Sequence, residues 1–253
     1  MLKVRLDGVE LRDWPDASGI GFVIEPGGLS GWFESTDGRM NGGDRPAAHG
    51  AFDVPVLRGG RTISVKGHIF AETSTALEAM QDQFTGLLAD GQSDELEVQT
   101  SAGTKSATVR VVSAKAPELD ETTATFLLQL FAADPRRYGK SRVVGPGTSL
   151  NPTHKGRATA APLIRVTGAM PGGYRINGPG GRQFIVSQAL SSGQTHEIDM
   201  QTGWLTRNGV WQRTAVSRAE TWGVPPGVAS TPMTLVPVSG SGQMTVITTD
   251  TDL

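Results

Sequence analysis

The residues able to do chemistry are scattered rather than clustered. Four histidines, His49, His68, His154 and His196, stand singly, with no i, i+4 pair and no carboxylate at ligand spacing, so the pattern of a catalytic metal centre is missing. Neither Gly28-Leu29-Ser30-Gly31 nor Gly240-Ser241-Gly242 has the Gly-x-Ser-x-Gly spacing that strains a nucleophilic serine out of a strand. Gly19-Ile20-Gly21 opens like a dinucleotide fingerprint but reaches Ile24 where a third glycine belongs, and no helical pattern follows. Phosphate loops of the Gly-x-x-x-x-Gly-Lys kind and calcium loops of alternating acids are missing too. The chain has no cysteine, which excludes thiolate catalysis, disulfides and Cys-based metal or iron–sulfur sites. Asp94-Glu95 and Asp120-Glu121 fall in turns or at strand ends and read as solvated charges; a glycosidase pair built from carboxylates distant along the chain stays open. The expectation is a protein with no catalytic, cofactor-binding or metal-ligating residues, and no enzyme. His68, on the polar side of a strand, and His196, just before one, are read as facing solvent.

Tryptophan is the other candidate. Trp204, Trp211 and Trp222 concentrate in the C-terminal half, where exposed indoles on a sandwich would offer a stacking surface to sugars. Strands otherwise built from Ile, Val and Met need large aromatics to fill the space between sheets, so core packing is the favoured reading.

The elements that would carry these residues are mostly strands. Leu2, Val4 and Leu6 alternate with Lys3 and Arg5; Phe52, Val54 and Val56 form another run; Ile63, Val65 and Ile69 alternate with Ser64, Lys66 and His68. Arg58-Gly59-Gly60-Arg61 between the last two suggests a hairpin, with Pro55 favouring an edge or a bulge. From Ser74 to Asp90 the period changes: Leu77, Met80, Phe84, Leu87 and Leu88 recur at helical spacing, Thr75 and Glu78 have the form of a capping box, and Asp90-Gly91 supplies a stop. Strands then resume at Glu95 to Thr100, Ala107 to Ser113 and Thr123 to Phe131. The segment from Glu25 to Gly50 has no clean period and reads either as an interaction arm or as a surface loop pinned by Trp32. Asp134-Pro135-Arg136-Arg137-Tyr138-Gly139, then Gly145-Pro146-Gly147 and Asn151-Pro152, mark a domain boundary. Beyond it come strands at Leu163 to Thr167, Tyr174 to Ile176, Gln183 to Ser187, His196 to Asp199, Met233 to Val238 and Met244 to Thr248. With turn signals at Asn177-Gly178 and Asn208-Gly209, they make a β-sandwich pattern. The halves share no internal repeat.

A chain of 253 residues can bury a core without staples in two domains, and its 33 glycines and 15 prolines suit many turns between short strands. Lys and Arg number 23 against 25 Asp and Glu, a formal net charge of −2, so no basic stripe for specific nucleic-acid binding is available in bulk. Apolar residues never run ten in a row, so neither a signal peptide nor a membrane span is expected, and no lipidation signal is visible.

One long match goes beyond composition. Thr195-His196-Glu197-Ile198-Asp199-Met200-Gln201-Thr202-Gly203-Trp204-Leu205-Thr206-Arg207-Asn208-Gly209-Val210 resembles a hairpin in the C-terminal domain of siphophage distal tail proteins. Trp222, Pro226-Gly227 and the strands from Met233 to Thr248 follow in the family's order, and Pro162 to Gly168 is similar to the strand opening that domain. In the N-terminal half, His49-Gly50, Gly60-Arg61-Thr62-Ile63 leading to Gly67, the helix, and Asp134-Pro135-Arg136-Arg137-Tyr138 also fit; Glu25 to Gly50 does not match piece by piece. The resemblance implies a mainly β chain. Residues 1–140 would form a tail-tube-like, ring-forming domain of two small sheets and one helix, 141–156 a linker, and 157–253 a galectin-like β-sandwich. It further implies a structural virion protein of a long non-contractile tail: a homohexameric hub joining the end of the tail tube to the baseplate or tail tip. Its partners would be the tail tube protein and tail-tip proteins, with assembly in the host cytoplasm. The alternative is a carbohydrate-binding module that attaches to host-surface glycan.

Overall fold

The computed structural model describes residues 1–14, 18–227 and 231–253. They are mainly β, with one α-helix among them, and divide into two compact units, Met1–Arg137 with Leu253, and Tyr138–Asp252.

The first unit contains β1 (Lys3–Leu6), β2 (Val9–Arg12), β3 (Gly21–Ser30), the short β4 (Gly38–Arg39) and β5 (Leu57–Arg58), and β6 (Arg61–Phe70). After α1 (Ser74–Thr85) come β7 (Asp94–Thr100), β8 (Gly103–Lys115), β9 (Glu118–Asp120) and β10 (Thr123–Ala132). Seven strands pair edge to edge in the cycle β1-β7-β8-β10-β6-β3-β2 and back to β1, antiparallel throughout except between β2 and β3. The two small sheets expected from the family pattern are thus joined into one closed barrel, which leaves these seven strands without a free edge. Alternation sends Val4, Leu6, Val9, Leu11, Ile63, Val65, Ile69, Leu96, Val98, Phe126, Leu128 and Leu130 into a single core. Gly67 lies on the inward row of β6 because no side chain fits there: a Cβ would stand 2.0 Å from the Val23 carbonyl oxygen and 2.7 Å from the Phe126 ring.

The helix is shorter than its apolar period. Thr73, not Thr75, is the N-cap, its hydroxyl accepting from the Ala76 N–H, and Gly86 closes the C-terminus, five residues before the expected stop at Gly91. Leu87 is still buried, but from a turn, and Leu88 takes a positive φ of 47°. The expected hairpin between residues 52–56 and β6 does not form either. Pro55 has no N–H to donate, the run from Phe52 to Val56 is mostly exposed, and β5 pairs with β4 instead.

The second unit is a sandwich of a six-stranded and a five-stranded sheet. In chain order its strands are β11 (Arg137–Gly147), β12 (Ser149–Leu150), β13 (Leu163–Ala169), β14 (Tyr174–Asn177), β15 (Gln183–Val186), β16 (Thr195–Asp199), β17 (Trp204–Arg207), β18 (Val210–Trp211), β19 (Val216–Ala219), β20 (Met233–Pro237) and β21 (Ser241–Asp252). One sheet runs β18-β17-β16-β13-β21-β11 and the other β12-β20-β14-β15-β19. Much of the segment expected as a linker, 141–156, is therefore structure: β11 and β12 belong to the sandwich, and Arg142 is paired with Asp250 of β21 at 3.1 Å. Asn208 and Gly209, with φ of 49° and 82°, make the tight turn from β17 to β18, as their sequence signals.

His196 is buried, contrary to the expectation of a solvent-facing residue. β16 starts at Thr195, so the alternation that turns Ile198 inward turns His196 inward too, where its Nδ1 meets the Tyr174 hydroxyl at 3.0 Å. Burial, helped by Arg207, pushes its pKa down to about 4 from an ordinary 6.5. The folded unit thus disfavours the charged imidazole, and the unfolded chain takes up the proton first as pH falls. Stability should be fully present above about pH 6.5 and decline towards pH 4, by on the order of 3 kcal/mol. Urea unfolding of the full chain at pH 7 and pH 4.5, compared with His196→Gln, checks this: the variant should lose that part of the pH slope.

Candidate assembly interface

The feature that sets the first unit apart from a plain barrel is the arm leaving it between β3 and β6. Residues 25–30, expected as part of a long loop, belong to β3, whose ladder with β6 shifts register between Ile24 and Leu29. Beyond it the chain goes out and returns as a narrow ribbon. Gly38 pairs with Arg58 and Arg39 with Leu57, the Gly59 N–H donates to Asp37 O at 3.1 Å, and farther along Asp44 bridges to Ala51. Phe33, Met40, Phe52, Val56 and Leu57 are each at least half exposed on this segment. A two-stranded ribbon alone is marginal in water, and apolar side chains exposed on one make this segment the candidate contact surface.

The base of the arm, by contrast, is fixed. Arg61 heads the inward row of β6 and is buried, a costly place for a cation unless its donors are used. Its Nη1 donates to the carbonyls of Gly31 at 2.6 Å and Glu34 at 2.8 Å, and more weakly to Trp32 at 3.3 Å; its Nε donates to Pro135 O at 3.1 Å. Burial lowers the Arg61 pKa, and Arg137 adds to this while Glu34 opposes it. The Trp32 indole is buried in the barrel core, as the sequence reading of a pinned segment requires, and Arg137 lies over it at 5.8 Å from the ring centroid. Gly31 adopts φ +76°, and a Cβ there would fall 1.9 Å from Thr62 O, so only glycine allows this turn. Trp32 thus pins residues 31–34, and the exposed ribbon of β4 and β5 follows them.

A guanidinium fork can serve several carbonyls at once, whereas an ammonium on a flexible stem cannot. Arg61→Lys should therefore cost about 2 kcal/mol through carbonyls left without donors, measurable by denaturant unfolding. An unchanged midpoint would mean that the base of the arm does not depend on this side chain.

Several titratable groups are held by structural partners. Burial raises the Glu10 pKa, but hydrogen bonds from Arg5, Arg12 and Lys3 outweigh it and hold the carboxyl at about 2. His154 is buried with Nε2 3.0 Å from Val224 O, and its Nδ1 accepts from the Gly156 N–H. Among the described residues no group of three His, Asp or Glu side chains is placed to hold a metal, and no helix is long and apolar enough to cross a membrane. The three tryptophans separate. Trp222 packs in the sandwich core over Gly178, whose added Cβ would lie 2.6 Å from the ring. Trp204 and Trp211, expected to pack, are exposed, because Tyr174, Phe184 and the methionines 170, 200, 233 and 244 already fill the space between sheets.

No protein-family profile matches the chain, and no curated protein matches it. Solved structures do. The crystal structure of SPP1 Dit (gp 19.1), described as a paradigm of the hub adsorption apparatus in Gram-positive infecting phages, matches with a TM-score of 0.76 at 17% identity over 100% of both chains. The phage p2 baseplate in its activated conformation, with strontium and with calcium, matches with a TM-score of 0.54 at 10% identity over 97% of both chains. The fold, barrel unit and galectin-like sandwich together, is that of phage hub and baseplate proteins.

Proposed function

We propose that this chain is a structural protein of a long non-contractile phage tail, a hub that self-associates into a six-fold ring and joins the distal end of the tail tube to the baseplate or tip. The observation that carries the reading is the end-to-end likeness to SPP1 Dit: both units correspond over the whole of both chains, so the likeness is to a complete two-part architecture. The first unit, approximately residues 1–140, makes the ring, and the sandwich, approximately residues 157–253, is a second module of the hub. The arm between β3 and β6 reaches the neighbouring copy, which gives its exposed apolar side chains a partner and closes the ring at a defined number. The hub works by contact alone, with no catalytic, metal or cofactor residues, and is assembled in the host cytoplasm with the tail tube and tail-tip proteins as neighbours. Antibodies against the chain should label the distal end of the tail on virions that carry it. Label on the head, or virions without the protein, would overturn the reading.

A further inference from the structure

The outer face of the six-stranded sheet carries a feature that a purely structural hub does not need. Alternation along β16 and β17 turns His196, Ile198 and Leu205 inward and leaves Glu197, Asp199, Trp204 and Thr206 outward. Asp199 stands directly across from Trp204, Glu197 across from Thr206, and Thr206 across from Trp211. Directly opposed residues on a sheet share a face, so these five outward and edge positions form one small tray. The indoles of Trp204 and Trp211 stack with centroids 4.8 Å apart at 26°, and the Arg213 guanidinium lies 4.4 Å over Trp211. Trp211 is thus contacted by two neighbours, and Trp204 remains the more open ring, 54% exposed against 41%.

We propose that this tray binds a saccharide, with Trp204 as the stacking platform and Asp199, Glu197 and Thr206 as the groups that hold its hydroxyls. The polar groups are already set. Asp199 is fixed by the Gln201 N–H and the Thr202 hydroxyl, both at 2.8 Å, and Glu197 is held through one oxygen by Arg165 Nε at 2.6 Å. A carboxylate has about four acceptor sites, so each keeps capacity for a ligand hydroxyl. The exposed aromatic surface is two rings wide; it passes into carboxylates, a hydroxyl and guanidinium groups, with the half-buried Leu163 and Ile247 following beyond Asp199 on the same face. A pyranose has that same division, a C–H face and a rim of hydroxyls, whereas a protein interface of standard size needs an apolar centre much wider than two rings.

The test is a titration of the full chain with neutral hexose, N-acetylhexosamine and deoxyhexose oligosaccharides of three to six sugars, by calorimetry and tryptophan fluorescence. At least one oligosaccharide should bind saturably. Its affinity should fall more than tenfold in Trp204→Ala and severalfold in Glu197→Gln, with melting temperatures unchanged because both side chains are on the outer face. Saturable binding by none of these sugars, or binding that Trp204→Ala leaves intact, would overturn the proposal. So would a Trp204→Ala variant that changes only self-association, which would assign the tray to a protein contact. Ring formation is read separately by particle mass, so failure here leaves the hub reading standing.

Discussion

Phe84→Ala is expected to lower the stability of the chain by about 3–5 kcal/mol, the cost of a large cavity in a core that cannot collapse to fill it. Phe84 is fully buried and forms an aromatic cluster with Phe126 at 5.0 Å and Phe22 at 5.7 Å, so the helix and two barrel strands meet at this one ring. The strands around it are held in a closed cycle, which resists the inward shift that relieves cavities elsewhere. Denaturant unfolding measures the loss. A change below about 1 kcal/mol would mean that α1 is not packed on the barrel.

Removal of the arm should have a different signature. With residues 38–58 replaced by a Gly-Ser-Gly link, the barrel keeps its seven-strand cycle and its core, since none of the core residues lies within the deleted span. Melting should shift little, while the ring should fall to monomers, because the exposed Met40, Phe52, Val56 and Leu57 go with the deletion. A variant that still forms rings of the same size would show that the subunits are joined through the barrel instead. The ring would then survive in the account and the arm's role would not.

The positions of most strands were legible because their side chains alternate, and the closed barrel was not. Closure depends on β8 pairing with both β7 and β10, and no local pattern in Gly103–Lys115 states which strands will lie beside it. The helix was legible in its apolar spacing but overextended, since Leu87 and Leu88 continue the spacing after the backbone has left the helix at Gly86. His196 is legible as an inward residue only once it is counted inside the strand: β16 begins at Thr195, and His196 then shares the face of Ile198, two places on. A sandwich core needs large side chains, and four methionines with Tyr174, Phe184 and Trp222 meet that need without Trp204 and Trp211. The sequence shows Arg61 only as part of the Arg58-Gly59-Gly60-Arg61 link and of the Gly60-Arg61-Thr62-Ile63 run that fits the family pattern, with nothing to mark it as buried. Its importance comes from the carbonyls of Gly31 and Glu34, which reach it only after the chain turns at a glycine with positive φ.

Electron microscopy of the purified chain, with particle mass measured on the same sample, tests whether the protein is a ring-forming hub. Closed rings with six-fold symmetry and six times the 26.7 kDa mass of one chain are expected. Particles that remain single copies at every concentration, alone and in the presence of the tail tube protein, would contradict this.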